Sequence, residues 1–214
     1  MTGATPPKRG EELLLARISA AAGRAHLGRR RATYAAHVDG TWKRRGIRGL
    51  LALVRSGLPS AARANADARL DLYERGMTVV VMGRIRVLRY DTTSAFRQDG
   101  TFTFTDAEGE RITLSHGEEE EWIPEIQRAL TDAQLPLALA RLGEGERLAF
   151  GDIWLTREGI GFGETSARWS QVQRIEIRDD AVVIGTAETA ASATPNLFVL
   201  RALVEHLRTE GGHP

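Results

Sequence analysis

The sequence contains no cysteine and almost no lysine. Disulfide bonds, thiolate catalysis and cysteine-ligated zinc are therefore excluded. Lys8 and Lys43 are the only lysines among 29 basic residues, an arginine preference that is typical of a GC-rich genome and by itself implies no binding role. The longest apolar run, Leu50–Val54, is far shorter than the ~20 residues that span a bilayer. The first ten residues lack the apolar core of a secretory signal, so we expect a cytoplasmic protein.

Charge is distributed unevenly along the 214 residues, although the net charge is only +1. Residues 1–57 carry 12 basic and three acidic side chains, whereas the remainder carries 17 basic and 25 acidic side chains. Such a division is typical of a basic arm that meets an anionic partner. It is equally compatible with two parts of one fold that neutralise each other.

Two amphipathic segments precede the β-rich part of the chain. Apolar residues recur at helical spacing over Glu11–Leu27, and Gly28 is suited to end that helix. The following triplet, Arg29–Arg31, would then be favoured by the helix dipole. Thr33–Val38 predicts a short strand, and residues 59–68 predict a linker or a small-residue helix.

Residues 42–58 predict a short basic amphipathic helix. Its apolar face comprises Ile47, Leu50, Leu51, Val54 and Leu58, and its basic side chains are Lys43, Arg44, Arg45 and Arg48. Such a helix packs on its own domain, lies on an anionic membrane surface, contacts a partner protein, or holds a nucleic-acid backbone. These four basic residues are the candidate partner-binding site.

Short strands separated by turns are predicted from Leu70 onward. Phe102 and Phe104 alternate with threonines, which predicts a strand with one apolar face. A helix over Glu118–Leu139 is predicted with an apolar face of Trp122, Ile126, Ala129, Leu130, Ala133 and Leu137. A final helix is predicted from Pro195, with a buried stripe of Leu200, Leu203, Val204 and Leu207.

Two local matches indicate an internal duplication. Leu72–Met77 aligns with Leu155–Ile160 at an offset of 83 residues, and each segment is a polar turn that ends in glycine between two strands. Tyr90 aligns with Trp169 at an offset of 79 residues. The order of glycine turn, aromatic strand, hairpin and terminal helix is common to both halves. The alternative is that two β-meanders share turn chemistry by chance.

This order resembles the bacterial pleckstrin-homology-like (PH-like) domain. More closely, the stretches RYDTTSAF, FTFTDAEGERITL, RWSQVQRIEI and TPNLFVLRAL resemble an uncharacterised actinobacterial family of unknown function. The resemblance implies an α+β fold of two tandem PH-like units, each a small antiparallel sheet or half-barrel with a C-terminal helix. The expected divisions are an N-terminal arm and helix over residues 1–30, a first unit over 31–140 with a basic helical insert over 42–68, and a second unit over 141–214. It implies no catalytic residues.

Candidate catalytic and ligand-binding motifs are weak. His116 with Glu118–Glu121 has the donors of a metal site, but glutamates in a first helical turn also complement the helix dipole. The glycine-rich run Gly159–Gly163 lacks the following helix that would present N–H groups to a phosphate, so it indicates a bulge or a close backbone approach. We predict no metal and no cofactor.

These observations favour a non-enzymatic binding or scaffold protein that acts on a protein or a peripheral anionic membrane. The first alternative is nucleic-acid binding through the basic N-terminal region, including Arg29–Arg31. The second is a carboxylate or metal enzyme built on Glu118–Glu121.

Overall fold

The fold is α+β, and a computed structural model describes residues 9–39, 65–98, 100–115, 121–172, 175–177, 181–184, 187–190 and 194–211. The chain divides into two compact units, one ending at Tyr90 and the other beginning at Asp91. Within the described ranges there are three α-helices and several antiparallel sheets, and no sheet closes into a barrel. The three domain divisions expected from the resemblance stay a prediction.

Unit 1 is a four-stranded antiparallel sheet with one helix. Its elements are α1 (Arg9–Arg24), β1 (Arg30–Asp39), β2 (Asn65–Tyr73), β3 (Gly76–Val81) and β4 (Arg84–Arg89), and the strands lie in the order β4-β3-β2-β1. The β2–β3 and β3–β4 connections are tight hairpins. All six residues of β3 are buried, so this central strand is covered on both faces.

Helix α1 ends three residues earlier than the periodicity predicts. The chain leaves the helix after Arg24, His26 takes a positive φ of 54°, and Leu27 is fully buried beside Ala22 and Tyr73. Burial of Leu27 against the sheet therefore ends the helix before Gly28. Arg30 and Arg31 belong to β1, and the triplet begins five residues after the helix ends at Arg24, so the prediction that it follows the helix directly and is favoured by its dipole is wrong.

Strand β2 begins earlier than predicted. Residues 65–68 pair with the end of β1, from Asn65 opposite Asp39 to Ala68 opposite Ala36, so the linker or helix predicted for residues 59–68 is wrong over those four positions. Small residues have no strong preference for a strand, so pairing with β1 determines that these four residues are extended.

Unit 2 begins with three strands and a long helix. β5 (Ser94–Gln98), β6 (Thr101–Thr105) and β7 (Arg111–Ser115) form an antiparallel meander, followed by α2 (Trp122–Gly143). Phe102 and Phe104 are buried as predicted, with ring centroids 5.1 Å apart, and Trp122 meets Phe102 edge-on. Leu137 is 51% exposed, so its predicted place on the buried face of α2 is wrong.

The remainder of unit 2 consists of short strands and a final helix. Its elements are β8 (Leu148–Phe150), β9 (Ile153–Leu155), β10 (Gly159–Phe162), β11 (Thr165–Arg168), a 3₁₀ turn (Trp169–Gln171), β12 (Ile175–Ile177), β13 (Ala181–Ile184), β14 (Ala187–Ala190) and α3 (Leu197–Gly211). The predicted stripe of α3 is buried in one core with β8, β9, β10 and β13. The helix begins after Asn196, two residues later than predicted.

The two glycine turns have the same backbone geometry. Leu72 pairs with Met77 across one turn, and Leu155 pairs with Ile160 across the other. The N–H of Tyr90 donates to the carbonyl oxygen of Arg75 at 3.1 Å. In the second turn, the equivalent bond runs from the N–H of Trp169 to the carbonyl oxygen of Glu158, also at 3.1 Å. The acceptors Arg75 and Glu158 are 83 positions apart, and the donors Tyr90 and Trp169 are 79 positions apart, which are the two offsets of the sequence alignment. The aligned residues therefore form equivalent hydrogen bonds.

Candidate functional site

One carboxylate of unit 1 is completely buried. Asp71 lies on β2 between Thr33 of β1 and Thr78 of β3, and it has no exposed surface. Arg69 donates from Nε to Oδ2 at 2.8 Å and from Nη2 to Oδ1 at 2.9 Å. Thr33 donates its hydroxyl to Oδ1 at 2.7 Å, and Arg30 approaches the same oxygen at 3.4 Å. Two arginines and a hydroxyl therefore surround one carboxylate.

The environment of Asp71 keeps it ionised. Burial by itself raises the pKa of the Asp71 carboxyl, but the hydrogen bonds from Arg69 and Thr33 and the charges of Arg69 and Arg30 outweigh it, so the net pKa is lowered. The hydrogen bond to Asp71 raises the pKa of Arg69. A carboxylate held in this way lacks the raised pKa of a general acid and joins β1 to β2 instead.

The glycine-rich strand β10 makes room for a tryptophan. A Cβ at Gly161 would collide with the indole ring of Trp154 on β9. The indole N–H donates to the carbonyl oxygen of Gly163 at 3.0 Å, and the guanidinium of Arg147 lies 4.0 Å from the ring centroid. A Cβ at Gly161 would also lie 2.6 Å from the carbonyl oxygen of Thr165 on β11, so of the bulge or close backbone approach predicted from the glycines, the close approach is found.

An exposed apolar residue lies at the turn between β3 and β4. Met82 and Gly83 have φ values of 49° and 73°, as in a type I′ hairpin turn. That turn favours asparagine, aspartate or glycine at its first central position, because a left-handed backbone crowds a Cβ. Met82 takes the conformation nevertheless, and 64% of its surface is exposed.

Helix α1 lies against the same hairpin. Arg17 donates to the carbonyl oxygen of Gly83 at 3.4 Å, and Arg89 at the far end of β4 donates to the carbonyl oxygen of Ala25 at 3.2 Å. These two bonds orient α1 so that its N-terminal half lies at the Met82 turn. Leu13 is one helical turn before Arg17, on the same side of α1, and it is 62% exposed.

We call this end of unit 1 the hairpin end and define it by Leu13, Arg17, Met82 and Arg84. Among the residues of unit 1 that the structure describes, these two aliphatic side chains are the most exposed large hydrophobic ones, and both arginines are exposed. β1 also ends, and β2 begins, at this end of the sheet, because Asp39 pairs with Asn65 and Ala68 pairs with Val81. The hairpin end therefore combines exposed aliphatic side chains with charged ones of both signs, since the exposed Glu11 and Glu12 directly precede Leu13 on α1.

The residues singled out from the sequence have different positions. Lys43, Arg44, Arg45 and Arg48, with the predicted helix over 42–58, lie outside the described residues, as do His116 and Glu118–Glu120. Arg30 forms an ion pair with Asp71, and the backbone N–H of Arg29 donates to the Glu74 carboxylate at 3.2 Å. Sequence reasoning missed the hairpin end, although a methionine before glycine between two β-runs was a usable signal.

A shallow open groove runs along α3 in unit 2. Ile177, Arg201, Val204, Glu205, Arg208 and Thr209 line it, and its volume is about 370 Å³. Arg201 crosses the groove and donates to the carbonyl oxygen of Ile177 at 2.8 Å. This bond holds the C-terminal end of β12 on the helix.

The part of the chain that the structure describes contains neither a metal-binding cluster nor a membrane-spanning helix. Within it, no group of three or more histidine, aspartate or glutamate side chains is placed to hold a metal ion. No helix in those residues is long and apolar enough to cross a membrane.

Residues 66–211 match a family of unknown function, DUF6585. The chain belongs to this family. The match begins in β2 and continues to the last residue of α3, so it includes Met82 and Arg84 but not α1 or β1. No curated protein and no solved structure matches the chain. The expectation of an uncharacterised family is thereby confirmed, and DUF6585 membership by itself assigns no chemistry.

Proposed function

We propose that this DUF6585 chain is a non-enzymatic binding or scaffold protein that acts through the surfaces of PH-like units on a protein or peripheral-membrane partner. The observation that carries the proposal is the hairpin end. Two exposed aliphatic side chains and two exposed arginines occupy one end of a sheet whose central strand is buried on both faces. Exposed apolar surface rimmed by polar residues is a feature of interaction sites where it is contiguous.

The buried ionic group supports the same proposal. Asp71 is surrounded by its own partners on β1 and β2. A catalytic carboxylate needs a pKa suited to proton transfer and access to a substrate. Asp71 has neither, because its pKa is lowered and its side chain is fully buried.

The equivalent glycine turns support two related units. Gly76 pairs with Arg89 on the strand after its own, and Gly159 pairs with Arg168 on the strand after its own. The strand that follows each turn is therefore paired with the next strand in the same register. A Cβ at either glycine would collide with a backbone carbonyl oxygen of the next strand, that of Leu88 or Ala167. The same steric requirement at aligned positions favours duplication over coincidence.

Affinity purification from the native host tests the proposal. Tagged wild-type chain is compared with Met82→Asp and with Leu137→Asp, a matched control because Leu137 is also an exposed aliphatic residue but lies on α2. We expect wild type and Leu137→Asp to retain a partner protein or a membrane fraction that Met82→Asp loses. Recovery of identical material by all three, or of no partner by any, would contradict the proposal.

A charge-reversed variant of Lys43, Arg44, Arg45 and Arg48 belongs in the same experiment. It tests whether the basic segment contributes to the partner surface, as the sequence predicts. Loss of the partner by this variant alone would place the binding surface on the basic segment and not on the hairpin end.

A further inference from the structure

We infer that Met82 is a reversible oxidation site, at which a peroxide converts the exposed thioether to a sulfoxide and makes the β3–β4 turn more polar while the fold persists. The oxidation itself is independent of any partner. Its effect on binding, which is loss of the partner, rests on the proposed function, because Met82 belongs to the hairpin end. The inference is carried by the location of sulfur in the chain, the contrast between Met82 and Met77, and the backbone conformation of the turn.

The sulfur of this chain is confined to methionine. The sequence contains no cysteine and three methionines, which are Met1, Met77 and Met82. A peroxide therefore meets no thiol in the chain, and the thioethers are the sulfur groups that it can oxidise. Met1 lies outside the described residues, so the structural comparison is between Met77 and Met82.

These two methionines differ in their access to solvent. Met82 is 64% exposed, whereas Met77, five positions earlier on β3, has no exposed surface. Met77 pairs with Leu72 on one neighbouring strand and with Leu88 on the other, so an oxidant reaches its sulfur only when the sheet opens. An oxidant in the solvent contacts Met82 without any opening. Met77 is therefore an internal reference for a protected thioether.

The turn between β3 and β4 is suited to a polar group at position 82. Met82 and Gly83 have φ values of 49° and 73°, and a type I′ turn favours asparagine or aspartate at its first central position. Because the Met82 side chain buries little apolar surface, its conversion to a polar sulfoxide removes little of the burial that stabilises the fold. The same conversion at Met77 would place a polar oxygen in the core.

The reaction requires one peroxide and no catalytic group of the protein. A lone pair of the Met82 sulfur attacks one peroxide oxygen, the O–O bond breaks, and an S–O bond forms. With hydrogen peroxide, the other oxygen leaves as water after proton transfer. Sulfur is oxidised by two electrons and the peroxide is reduced by two. A methionine sulfoxide reductase supplied with a thiol reductant reverses the change.

Peptide mapping of the full chain after peroxide treatment tests the site. Trypsin releases both methionines in one peptide, Gly76–Arg84, so fragmentation of that peptide localises the added oxygen without a correction for recovery. We expect Met82 to be oxidised at least about tenfold faster than Met77 in the folded chain, and the two rates to become equal in concentrated urea. Equal rates in the folded chain, or faster oxidation of Met77, would overturn the inference.

Thermal unfolding of the chain oxidised at Met82 alone tests whether the fold persists. We expect its unfolding temperature to lie within about 2 °C of that of the untreated chain, as for an ordinary surface change. Met82→Leu is the matched control, because it keeps an apolar side chain of similar volume and lacks the sulfur. Methionine sulfoxide reductase with dithiothreitol should restore Met82. Cooperative unfolding on oxidation of Met82, or a sulfoxide that the reductase does not reduce, would contradict the inference.

The affinity purification separates the effect on binding from the proposed function. Peroxide-treated wild type should lose the partner that peroxide-treated Met82→Leu retains. If both retain it although Met82→Asp loses it, oxidation does not release the partner, and that part of the inference is wrong while the proposed function stands. If no untreated chain recovers a partner, the proposed function is wrong, and the peptide map by itself decides whether Met82 is the oxidation site.

Discussion

The guanidinium of Arg69 binds both carboxylate oxygens of Asp71, its neighbour two positions along β2, at 2.8 and 2.9 Å. Residues two apart on a strand lie on the same face, so the pair is formed within one strand. Arg30 and Thr33 of β1 complete the group from the adjacent strand. These four side chains therefore link β1 to β2 through the buried carboxylate of Asp71.

Asp71→Asn should destabilise the protein by about 2–3 kcal/mol. Breaking a buried ion pair commonly costs ~3–5 kcal/mol, and a lower value is expected here because the side chains of Arg69 and Arg30 are 30% and 48% exposed. Urea unfolding at neutral pH measures the change. Thr33→Val is the control, and it should cost only about 1 kcal/mol because it removes one hydrogen bond to the same carboxylate. Equal effects of the two variants would contradict a dominant ionic contribution.

The advantage of wild type over Asp71→Asn should disappear in acid. The folded-state pKa of Asp71 is lowered from the ordinary value of 3.8. The ionised form is thus favoured by folding, its contribution is fully present above the unfolded-state pKa, and it is lost as pH falls through the folded-state pKa. Unfolding free energies measured from pH 7 down to pH 2 should converge below about pH 4. A difference that stays constant over this range would show that Asp71 acts through packing and not through charge.

Gly76→Ala should destabilise the protein by about 2 kcal/mol, because its Cβ would collide with the carbonyl oxygen of Leu88 and lie 2.7 Å from Leu27 Cδ2. Gly23→Ala is the opposite control. Gly23 is an exposed residue of α1 with no atom within 4 Å of an added Cβ, so alanine should stabilise by about 0.5–1 kcal/mol. Thermal unfolding of both variants measures the contrast, and two shifts of the same sign would contradict it.

Asn196→Ala should destabilise unit 2 by about 2–4 kcal/mol. The Asn196 side chain accepts from the N–H of Ala95 at 2.7 Å and donates to Gln134 at 2.8 Å, and its φ is +50°. Alanine removes both hydrogen bonds, and it tolerates the left-handed backbone conformation at this position less well than asparagine does. Asn196→Gly loses the bonds but keeps the conformation, so it should be the milder variant by about 1 kcal/mol. Chemical denaturation compares them, and an Asn196→Gly variant less stable than Asn196→Ala would contradict the backbone argument.

Local periodicity predicted the elements that bury one face. The stripe of α3 and the alternating phenylalanines of β6 are buried as predicted. The positions of the two glycine turns were also predicted, from the expectation that a tight hairpin needs glycine at a positive φ. That reason is wrong for Gly76 and Gly159, which do not have a positive φ; the close approach of the next strand excludes a Cβ there instead. Leu137 is the exception on α2: apolar spacing placed it on the buried face, but half of its surface is exposed, because none of the described elements packs over it fully.

Long-range packing decided the positions that sequence reasoning misassigned. Helix α1 ends at Arg24 because Leu27 is buried, and residues 65–68 become strand because β1 pairs with them. The candidate site was missed for the same reason. Leu13 and Met82 are 69 positions apart in sequence, and only the packing of α1 along β4 brings them to one end of the sheet.

The sequence by itself determined the two glycine turns, the buried faces of β6 and α3, and the exclusion of cysteine chemistry, since each follows from residue type and short-range spacing. The α+β class was implied by the family resemblance. Only the tertiary structure decided that Arg30 pairs with a carboxylate 41 positions away, that Gly161 accommodates Trp154, and that Met82 and Arg17 share one end of unit 1. Those relationships depend on which strands become neighbours. Burial against a partner element outweighs the weaker local preferences of small and charged residues.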